Sequence, residues 1–349
     1  MRSRNKMTFE RLKYYRNLIG GALGCIQSRL SKNPKPMCFS LMVTTKCNCN
    51  CDYCFWKHKK FEDELSLEEI QRLLKEAGEL GYLDCLLWGG EPLLRKDFTE
   101  IAKASHDAGM YTKVTTNGWL LEENPDFANY TDLTFVSLDA IGKEHDEGRH
   151  LPGVCERAMS GIEYHKIHYP KMRIYVCSTV SAKTNFQRLK EVAQYCKDTD
   201  ILLYFTVNKS NQALEEAQNV KENEVESDQL AELFVKIKEL KKAGYPIRNS
   251  DYFMDYIIEK KDYYQCHWPR LATVMYPNGE LLRCYDREPY ISAKGRSLKS
   301  VIQDPLFIET VNKCKDCKLA CVGNYALDAS GLWRLEWDAI KSLMQIAIT

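Results

Sequence analysis

The sequence lacks any long apolar run, and no stretch approaches the ~18 consecutive apolar residues that a membrane-spanning helix needs. Its formal net charge is only +1 at pH 7, so there is no global attraction to nucleic acid and we expect no nucleic-acid partner. No apolar segment follows the charged first residues, so we expect no signal peptide and a cytoplasmic location. Low-complexity segments and repeats of roughly 20–50 residues are also missing, which argues against a repeat architecture.

Cysteine, by contrast, is abundant, with fifteen in 349 residues. Without a secretory route, metal ligation or thiol reactivity explains so many thiols better than disulfides do. Nine of them fall within residues 47–54 and 266–321, and these require a specific explanation. The other six are solitary, lie mostly in apolar runs and are interpreted as small core residues: Cys25, Cys38, Cys85, Cys155, Cys177 and Cys196.

From about residue 38 to residue 245, short apolar runs alternate with amphipathic stretches. "CFSLMVTT", "DCLLW" and "DLTFVSL" are typical of buried strands, whereas "SLEEIQRLLKEAGEL" and "KDFTEIAKASHDAG" are typical of helices that pack on them. Six such alternations predict an α/β fold with a parallel sheet, either open or rolled into a partial barrel. Further along the chain, "TVMYPNGELLRC" predicts a hairpin with an Asn-Gly turn.

Directly after the first predicted strand, Cys47, Cys51 and Cys54 form a C-x3-C-x2-C motif. Thiolates at this spacing can wrap one loop around three irons of a cubane. Three protein ligands leave one iron open to bind a small molecule, which suits chemistry at the cluster rather than electron storage. Cys49 lies inside the motif and is interpreted as a bystander. A structural zinc site is the alternative, although zinc loops usually supply C-x2-C pairs and four ligands.

Five short motifs follow this loop, each at or just after the carboxyl end of a predicted strand, where parallel α/β folds collect ligand groups. They are "WGGEP" (88–92), "TTNG" (115–118), "SLDA" (137–140), "HDEGR" (145–149) and "TVSAKTN" (179–185). Together with "CNCNCDYC", which includes the aromatic Tyr53, they resemble the motifs of the radical S-adenosylmethionine (SAM) superfamily. The resemblance covers residues 38 to about 210 and implies a partial (βα)6 TIM-like barrel.

The resemblance also implies the chemistry and the roles of the motif residues. A 4Fe–4S cluster on the cysteine triad would bind SAM and cleave it reductively to methionine and a 5′-deoxyadenosyl radical, which then attacks an unknown substrate. A flavodoxin or ferredoxin is expected as electron donor. Asp139 as a helix cap and Arg149 in a surface salt bridge are the plainer alternatives to ligand contacts. The implied contacts are Gly89, Gly90 and Glu91 with the SAM ammonium, Ser137 and Arg149 with the carboxylate, Asp139 and Asn185 with ribose or methionine groups, and Tyr53 near adenine.

A second group of cysteines lies near the end of the chain. Cys266 and Cys284 flank the predicted hairpin, and the glycine five residues before Cys284 resembles the start of the SPASM and twitch extensions, which carry auxiliary iron–sulfur clusters. A full SPASM domain has seven cysteines and two clusters, whereas five here fit one auxiliary 4Fe–4S cluster. The expected ligands are Cys266, Cys284, Cys314 and Cys317, with Cys321 as the first alternative ligand. A zinc ribbon on the same four residues is the competing interpretation.

The two ends of the chain read as amphipathic helices. Residues 1–35 carry nine Lys/Arg against one Glu, a net +8, and apolar residues recur at helical spacing over 7–30. The C-terminus places Trp333, Trp337, Ile340, Met344 and Ala347 on one helical face. Either these helices dock on the outside of the barrel, with Leu12, Ile19 and Ile26 dry against it, or residues 7–30 contact a membrane surface peripherally. A membrane contact would suit a lipid-linked substrate.

These patterns predict four segments: a basic helix over 1–37, the barrel over 38–245, a small auxiliary-cluster domain over 246–330 and a C-terminal helix over 331–349. The function they favour is radical SAM chemistry on an unknown, membrane-associated or lipid-linked substrate, with a peptide- or small-molecule-modifying oxidoreductase as the alternative. Two other classes compete with it. An iron–sulfur electron carrier would not need "WGGEP" or "HDEGR", and a zinc-binding module would hold zinc and not turn over SAM.

Overall fold

A computed structural model gives the fold, and it describes residues 9–31, 33–58, 60–208, 222–260, 266–283, 289–313 and 324–341. Six parallel strands form its centre, and each pairs with the strand that precedes or follows it in sequence. A consecutive order of this kind is that of a (βα) barrel wall, because a doubly wound sheet reverses its order at a switch point. The strands are β1 (Cys38–Thr44), β2 (Asp84–Gly89), β3 (Tyr111–Thr116), β4 (Leu133–Ser137), β5 (Arg173–Val180) and β6 (Leu202–Val207).

Helices cover the outer face of this sheet, where apolar side chains from alternate strand positions pack against them. The first of them begins at a capping box in which Ser66 and Glu69 each accept a hydrogen bond from the other's backbone. Between β3 and β4 the connection is a 3₁₀ helix, Pro125–Tyr130, rather than an α-helix. The α-helices are α2 (Leu67–Glu79), α3 (Phe98–Asp107), α4 (Lys143–Arg149), α5 (Val154–His168), α6 (Phe186–Asp198) and α7 (Ser227–Lys242).

The C-terminal segment extends the same sheet. Strand β7 (Ala272–Met275) pairs in parallel with β1, and β8 (Glu280–Leu282) and β9 (Pro289–Ser292) follow in antiparallel order. The predicted hairpin is confirmed, and its turn contains Gly279 at a positive φ of 87°. The segment thus continues the barrel wall instead of forming a detached layer. Its helices are α8 (Asp251–Ile258), α9 (Trp268–Leu271), α10 (Leu298–Ile302), α11 (Pro305–Asn312) and α12 (Asn324–Arg334).

The N-terminal helix α1 (Phe9–Leu30) packs against α12, but through a face of small residues. Cys25 and Ser28 are buried there, and a Cβ on Gly24 would collide with Met37. The apolar stripe expected to be dry is instead exposed: Ile19 is 60% and Ile26 42% accessible. Of the two orientations expected, the one that packs Ile19 and Ile26 on the barrel is therefore wrong, because the helix docks through its small residues. The Leu12 side chain lies outside the described residues.

The C-terminal helix differs from the prediction of one helix over 331–349. Helix α12 ends at Arg334, and Leu335 follows at a φ of 61°, which turns the chain before a further helical turn begins at Trp337. Trp333 stacks on His267 with ring centroids 3.4 Å apart, whereas Trp337 is 62% exposed. Met344 and Ala347 lie outside the described residues. Within the described part of the chain, no helix is both long and apolar enough to span a bilayer.

Candidate active site

The loop that carries the cysteine triad, residues 45–54, leaves the carboxyl end of β1, and we refer to it as the cluster loop. Cys51 is buried, Cys54 is half-buried and Cys47 is exposed. The backbone N–H of Cys49 donates to the Cys47 sulfur at 3.4 Å, and the backbone N–H groups of Trp56 and Lys57 donate toward the Cys54 sulfur. Such N–H donors stabilise thiolate sulfur, so the donor set fits the ligands of an iron–sulfur cluster.

The pKa values of Cys47 and Cys51 are lowered, whereas burial raises the pKa of Cys54 to about 11. A hydrogen bond from the Cys49 side chain, helped by the nearby Arg149, lowers the pKa of Cys51 to about 7. Among the described residues there is no group of three or more His, Cys, Asp or Glu side chains arranged to hold a single metal ion. A 4Fe–4S cubane does not need such a group, because each of its cysteine ligands binds a different iron atom.

The first half of the cluster loop is held from β2 and β3. Asn117, which follows β3, donates from its side-chain amide to the Asn48 side chain at 2.7 Å and to the Cys49 sulfur at 3.3 Å. The backbone N–H of Asn117 in turn donates to a carboxylate oxygen of Glu91 at 2.7 Å. Glu91 is 0% exposed and also accepts from Thr116. These contacts link the loop to the ends of two strands.

The "WGGEP" segment packs against the start of the cluster loop. The backbone N–H groups of Gly90 and Glu91 donate to carbonyl oxygens of Thr44 and Lys46. A Cβ on Gly89 would collide with Thr44 O, and one on Gly90 with Lys46 O. The glycines are thus required for close packing against the start of the cluster loop, and both Glu91 carboxylate oxygens are already occupied by protein donors. Contacts of this segment with a SAM ammonium stay a prediction.

The second half of the cluster loop is held by α4, which contains "HDEGR". The backbone N–H groups of Asn50 and Asp52 donate to the carbonyl oxygens of Arg149 and Gly148, both at 3.0 Å. The Asp52 carboxylate also forms a hydrogen bond with the His150 ring at 2.6 Å. Two strands' ends and one helix therefore fix the loop from opposite sides.

Tyr53, Asp139 and Arg149 form a closed hydrogen-bonded group beside Cys51. Tyr53 donates to Asp139 at 2.7 Å, and the Arg149 guanidinium donates to Asp139 at 2.8 Å and to Tyr53 at 2.9 Å. Burial would raise the pKa of Asp139, but Arg149 opposite it keeps that pKa below its ordinary value. Arg149 is only 5% exposed, so its ion pair with Asp139 is buried and is not a surface salt bridge. Asp139 does not cap a helix; its other oxygen accepts from the Thr179 N–H at 2.8 Å.

Two residues that sequence reasoning left without a role support this group. The His145 ring, 1% exposed, accepts the backbone N–H of Asp139 at 3.0 Å through Nδ1, so its single proton sits on Nε2. Burial lowers the pKa of His145 to about 4, so the ring is neutral. Asp146 accepts the N–H groups of Gly153 and Cys155 and so fixes the start of α5. The sequence clue to both residues was their position in the "HDEGR" motif.

The remaining predicted site residues are placed as follows. Ser137 is the last residue of β4 and is half-buried opposite Cys177 on β5. Asn185 caps α6, because its side-chain oxygen accepts the Arg188 N–H at 3.0 Å. Contacts of both with SAM stay predictions. In the second cysteine group, Cys266 is buried. The other four, Cys284, Cys314, Cys317 and Cys321, lie outside the described residues.

The Glu91 contacts give a stability prediction. Replacing Glu91 with glutamine puts an NH2 group where a carboxylate oxygen now accepts, so at least one buried N–H or O–H donor loses its partner. We expect a loss of about 1–3 kcal/mol in the free energy of unfolding, measured by urea denaturation. Glu68→Gln, on the exposed first turn of α2, is the matched control and should change little. Equal stability of the two variants would contradict this role of Glu91.

Comparison with known proteins agrees with this geometry. A family model described as the radical SAM superfamily matches residues 41–196. Fe-coproporphyrin III synthase of Methanosarcina barkeri is 34% identical over 139 residues, 38% of this chain and 35% of that protein. AdoMet-dependent heme synthase of the same organism is 31% identical over 177 residues, 48% of this chain and 49% of that protein. The chain thus spans about half or less of the length of these two relatives.

Longer alignments come from two further proteins. PqqA peptide cyclase of Bradyrhizobium diazoefficiens is 25% identical over 288 residues, 76% of this chain and 70% of that protein. The crystal structure of Streptococcus suis SuiB bound to S-adenosylmethionine superposes with a TM-score of 0.64 at 15% identity, over 88% of this chain and 74% of that chain. This second likeness supports the partial-barrel fold. Residues 41–196 therefore match the radical SAM superfamily.

Proposed function

We propose that this protein is an enzyme that cleaves SAM reductively at a 4Fe–4S cluster held by Cys47, Cys51 and Cys54. When bound, the cluster and SAM supply a 5′-deoxyadenosyl radical. The observation that carries the proposal is that hydrogen bonds hold both halves of the cluster loop. Asn117 binds the first half, and the backbone of α4 binds the second half. A loop fixed at both halves holds its ligands in place, which the chemistry requires.

The residues around the loop would orient SAM rather than react with it. Arg149 offers a guanidinium that is already fixed by Asp139 and Tyr53, which suits recognition of a carboxylate with little loss of side-chain entropy. Ser137, at the end of the neighbouring strand, would complete that contact. The backbone of Gly89 and Gly90 lies against the start of the cluster loop, where it would meet the SAM ammonium. Asn185 and Asp139 would reach ribose or methionine groups, and Tyr53 would lie near adenine.

A second 4Fe–4S cluster is part of the proposal. Cys266 would hold it together with Cys284, Cys314 and Cys317, or with Cys321 in place of one of them. What supports this is the position of Cys266, which is buried just before β7, the strand that pairs with β1. A zinc ribbon is the alternative, and metal analysis of anaerobically purified protein separates the two.

For the substrate, we propose a peptide or a lipid-linked molecule, with a flavodoxin or ferredoxin as electron donor. The peptide is supported by the alignment with PqqA peptide cyclase and by the crystal structure of SuiB bound to the precursor peptide SuiA. Products formed with a candidate peptide, compared with lipid extracts, would separate the two classes.

Cleavage of SAM without substrate tests the proposed reaction. Anaerobically reconstituted protein reduced with dithionite should form 5′-deoxyadenosine slowly. The Cys51→Ala variant should form none, because it removes a proposed ligand. Cys196→Ala, which removes a buried cysteine on α6, is the matched control and should keep the activity. Turnover by Cys51→Ala equal to that of the unmodified protein would place the chemistry elsewhere.

We also propose that α1 rests on an anionic membrane surface. In the described residues, most of the large apolar side chains that are exposed lie on α1 or just after α12. Helix α1 packs against α12, so the two groups are close together. Residues 1–35 add a net charge of +8. An apolar stripe next to basic residues is the pattern of an interfacial helix. The exposed side chains are Ile19 (60%), Leu23 (54%), Ile26 (42%), Leu30 (81%), Leu335 (53%) and Trp337 (62%).

Vesicle binding tests this surface. The full chain should bind vesicles that contain anionic lipid, and binding should weaken as salt is added. Leu23→Glu with Leu30→Glu should weaken it by roughly tenfold or more, since burial of each leucine contributes about 1.5–3 kcal/mol. Ile167→Glu, at an exposed apolar position on α5, is the matched control. Binding that ignores both substitutions and salt would overturn the membrane proposal, and leave the reaction untouched.

A further inference from the structure

Asn117 occupies a buried position between the barrel wall and the cluster loop, and it is 5% exposed. Its side-chain oxygen accepts the backbone N–H of Trp119 at 2.9 Å. This fixes the orientation of the amide, so the NH2 group must face the loop. That NH2 group donates to both Asn48 and Cys49, and all its hydrogen-bonding capacity is used.

The Cys49 sulfur accepts the hydrogen bond from Asn117. Cys49 is 9% exposed and packs with Cys51 and Val154 in a small apolar cluster. Because its sulfur accepts from Asn117, its own thiol proton is directed elsewhere. The backbone N–H of Cys49 donates to the Cys47 sulfur at 3.4 Å, and its side chain packs against Cys51, whose pKa the Cys49 thiol lowers. Two donors of one residue therefore face two proposed ligand sulfurs.

We propose that Asn117 is a positioning residue which, through Cys49, holds hydrogen-bond donors against the ligand sulfurs of the SAM cluster and raises its reduction potential. The inference rests on the proposed function. Hydrogen bonds to ligand sulfurs stabilise the added electron, since the reduced cluster carries more negative charge on those sulfurs. The sequence position of Cys49 suggested a bystander, whereas in this proposal Cys49 supplies hydrogen-bond donors to the ligands.

Glu91 anchors this arrangement to the barrel. Its buried carboxylate accepts the Asn117 N–H and the Thr116 hydroxyl, both at 2.7 Å. The path from barrel to ligand is therefore continuous: Glu91 holds Asn117, Asn117 holds Cys49, and Cys49 faces Cys47 and Cys51. Removing one member should change the environment of the sulfurs without removing a ligand.

An EPR-monitored redox titration tests the proposal on anaerobically reconstituted protein, using the signal that changes when SAM is added. Cys49→Ala should keep the full iron content and shift the midpoint potential to a more negative value. Cys49→Ser keeps an O–H donor and should restore part of the shift. Asn117→Ala should shift the potential in the same direction, and Cys196→Ala should leave it unchanged.

The outcomes separate the inference from the function on which it rests. If the unmodified protein shows no SAM-sensitive signal, the proposed function itself fails. If that signal is present and Cys49→Ala and Asn117→Ala leave the midpoint where it was, the inference alone is overturned. Loss of about half the iron in Cys49→Ala would show that Cys49 is a ligand, which also overturns it. Should Cys49→Ala not fold, Cys49→Ser and Asn117→Ala decide the question.

Discussion

Replacing Arg149 with alanine should lower the free energy of unfolding by about 3–5 kcal/mol, because it leaves the Asp139 carboxylate buried without its partner. The same change removes the donor to Tyr53, so it loosens the second half of the cluster loop as well. Urea denaturation measures the stability. Equilibrium dialysis with SAM should show at least a tenfold loss of affinity, the scale of one charge-assisted hydrogen bond.

Two control variants sharpen this result. Arg149→Lys keeps the charge but not the planar fork, so it should recover part of the stability and little of the SAM affinity. Arg296→Ala removes an arginine from a more exposed ion pair with Asp304 and should change stability by about 1 kcal/mol or less. If Arg149→Ala unfolds at the same urea concentration as Arg296→Ala, the buried pair does not have the structural role we assign to it.

Changing Cys47, Cys51 and Cys54 together to alanine should remove about half of the iron and sulfide. The full protein should hold about eight of each, because two cubanes contain four of each, and the variant about four. Colorimetric iron and sulfide assays on anaerobically purified protein give both numbers. Changing Cys25, Cys155 and Cys196, three buried cysteines outside both groups, should leave the content unchanged. Stoichiometric zinc in the unmodified protein would contradict the auxiliary-cluster assignment.

The fold was largely predictable because strands such as β1, β4 and β6 are mostly apolar and are buried at nearly every position. The alternation of strands and helices from residue 38 onward gave the consecutive parallel sheet. Residues 125–130 have no helical apolar periodicity, and a 3₁₀ helix stands there. The pairing of β7 with β1 was not predictable, because strand neighbours so far apart in sequence are chosen by tertiary packing and not by local pattern.

The orientation of α1 shows a second limit of sequence reasoning. Apolar spacing identified the helix over 7–30, close to the observed Phe9–Leu30. Hydrophobicity left two orientations open for Ile19 and Ile26, against the barrel or toward a membrane, whereas the helix docks through Gly24, Cys25 and Ser28. The space that the Met37 side chain occupies beside α1 depends on the missing side chain of Gly24, which a hydrophobic pattern does not reveal.

In the site, the resemblance to the radical SAM motifs pointed to Tyr53, Asp139 and Arg149, which the structure brings into direct contact. The support of these side chains could not be read in the same way. Asn117 acts through a bond to Asn48, far away in sequence, and His145 acts through the nearby backbone N–H of Asp139; both partners are set only by the folded chain. Asn117 lies in "TTNG" and His145 in "HDEGR", so the sequence marked their positions but did not show what they bind.

The most direct measurement of the central claim is the EPR spectrum of the reduced protein with and without SAM. A cluster held by three cysteines leaves one iron without a protein ligand, so SAM should alter the spectrum of the unmodified protein. In the variant without Cys47, Cys51 and Cys54, a signal from the auxiliary cluster should remain and should ignore SAM. A spectrum of the unmodified protein that SAM leaves unchanged, or a response that survives in the variant, would contradict the assignment of the SAM site to the cluster loop.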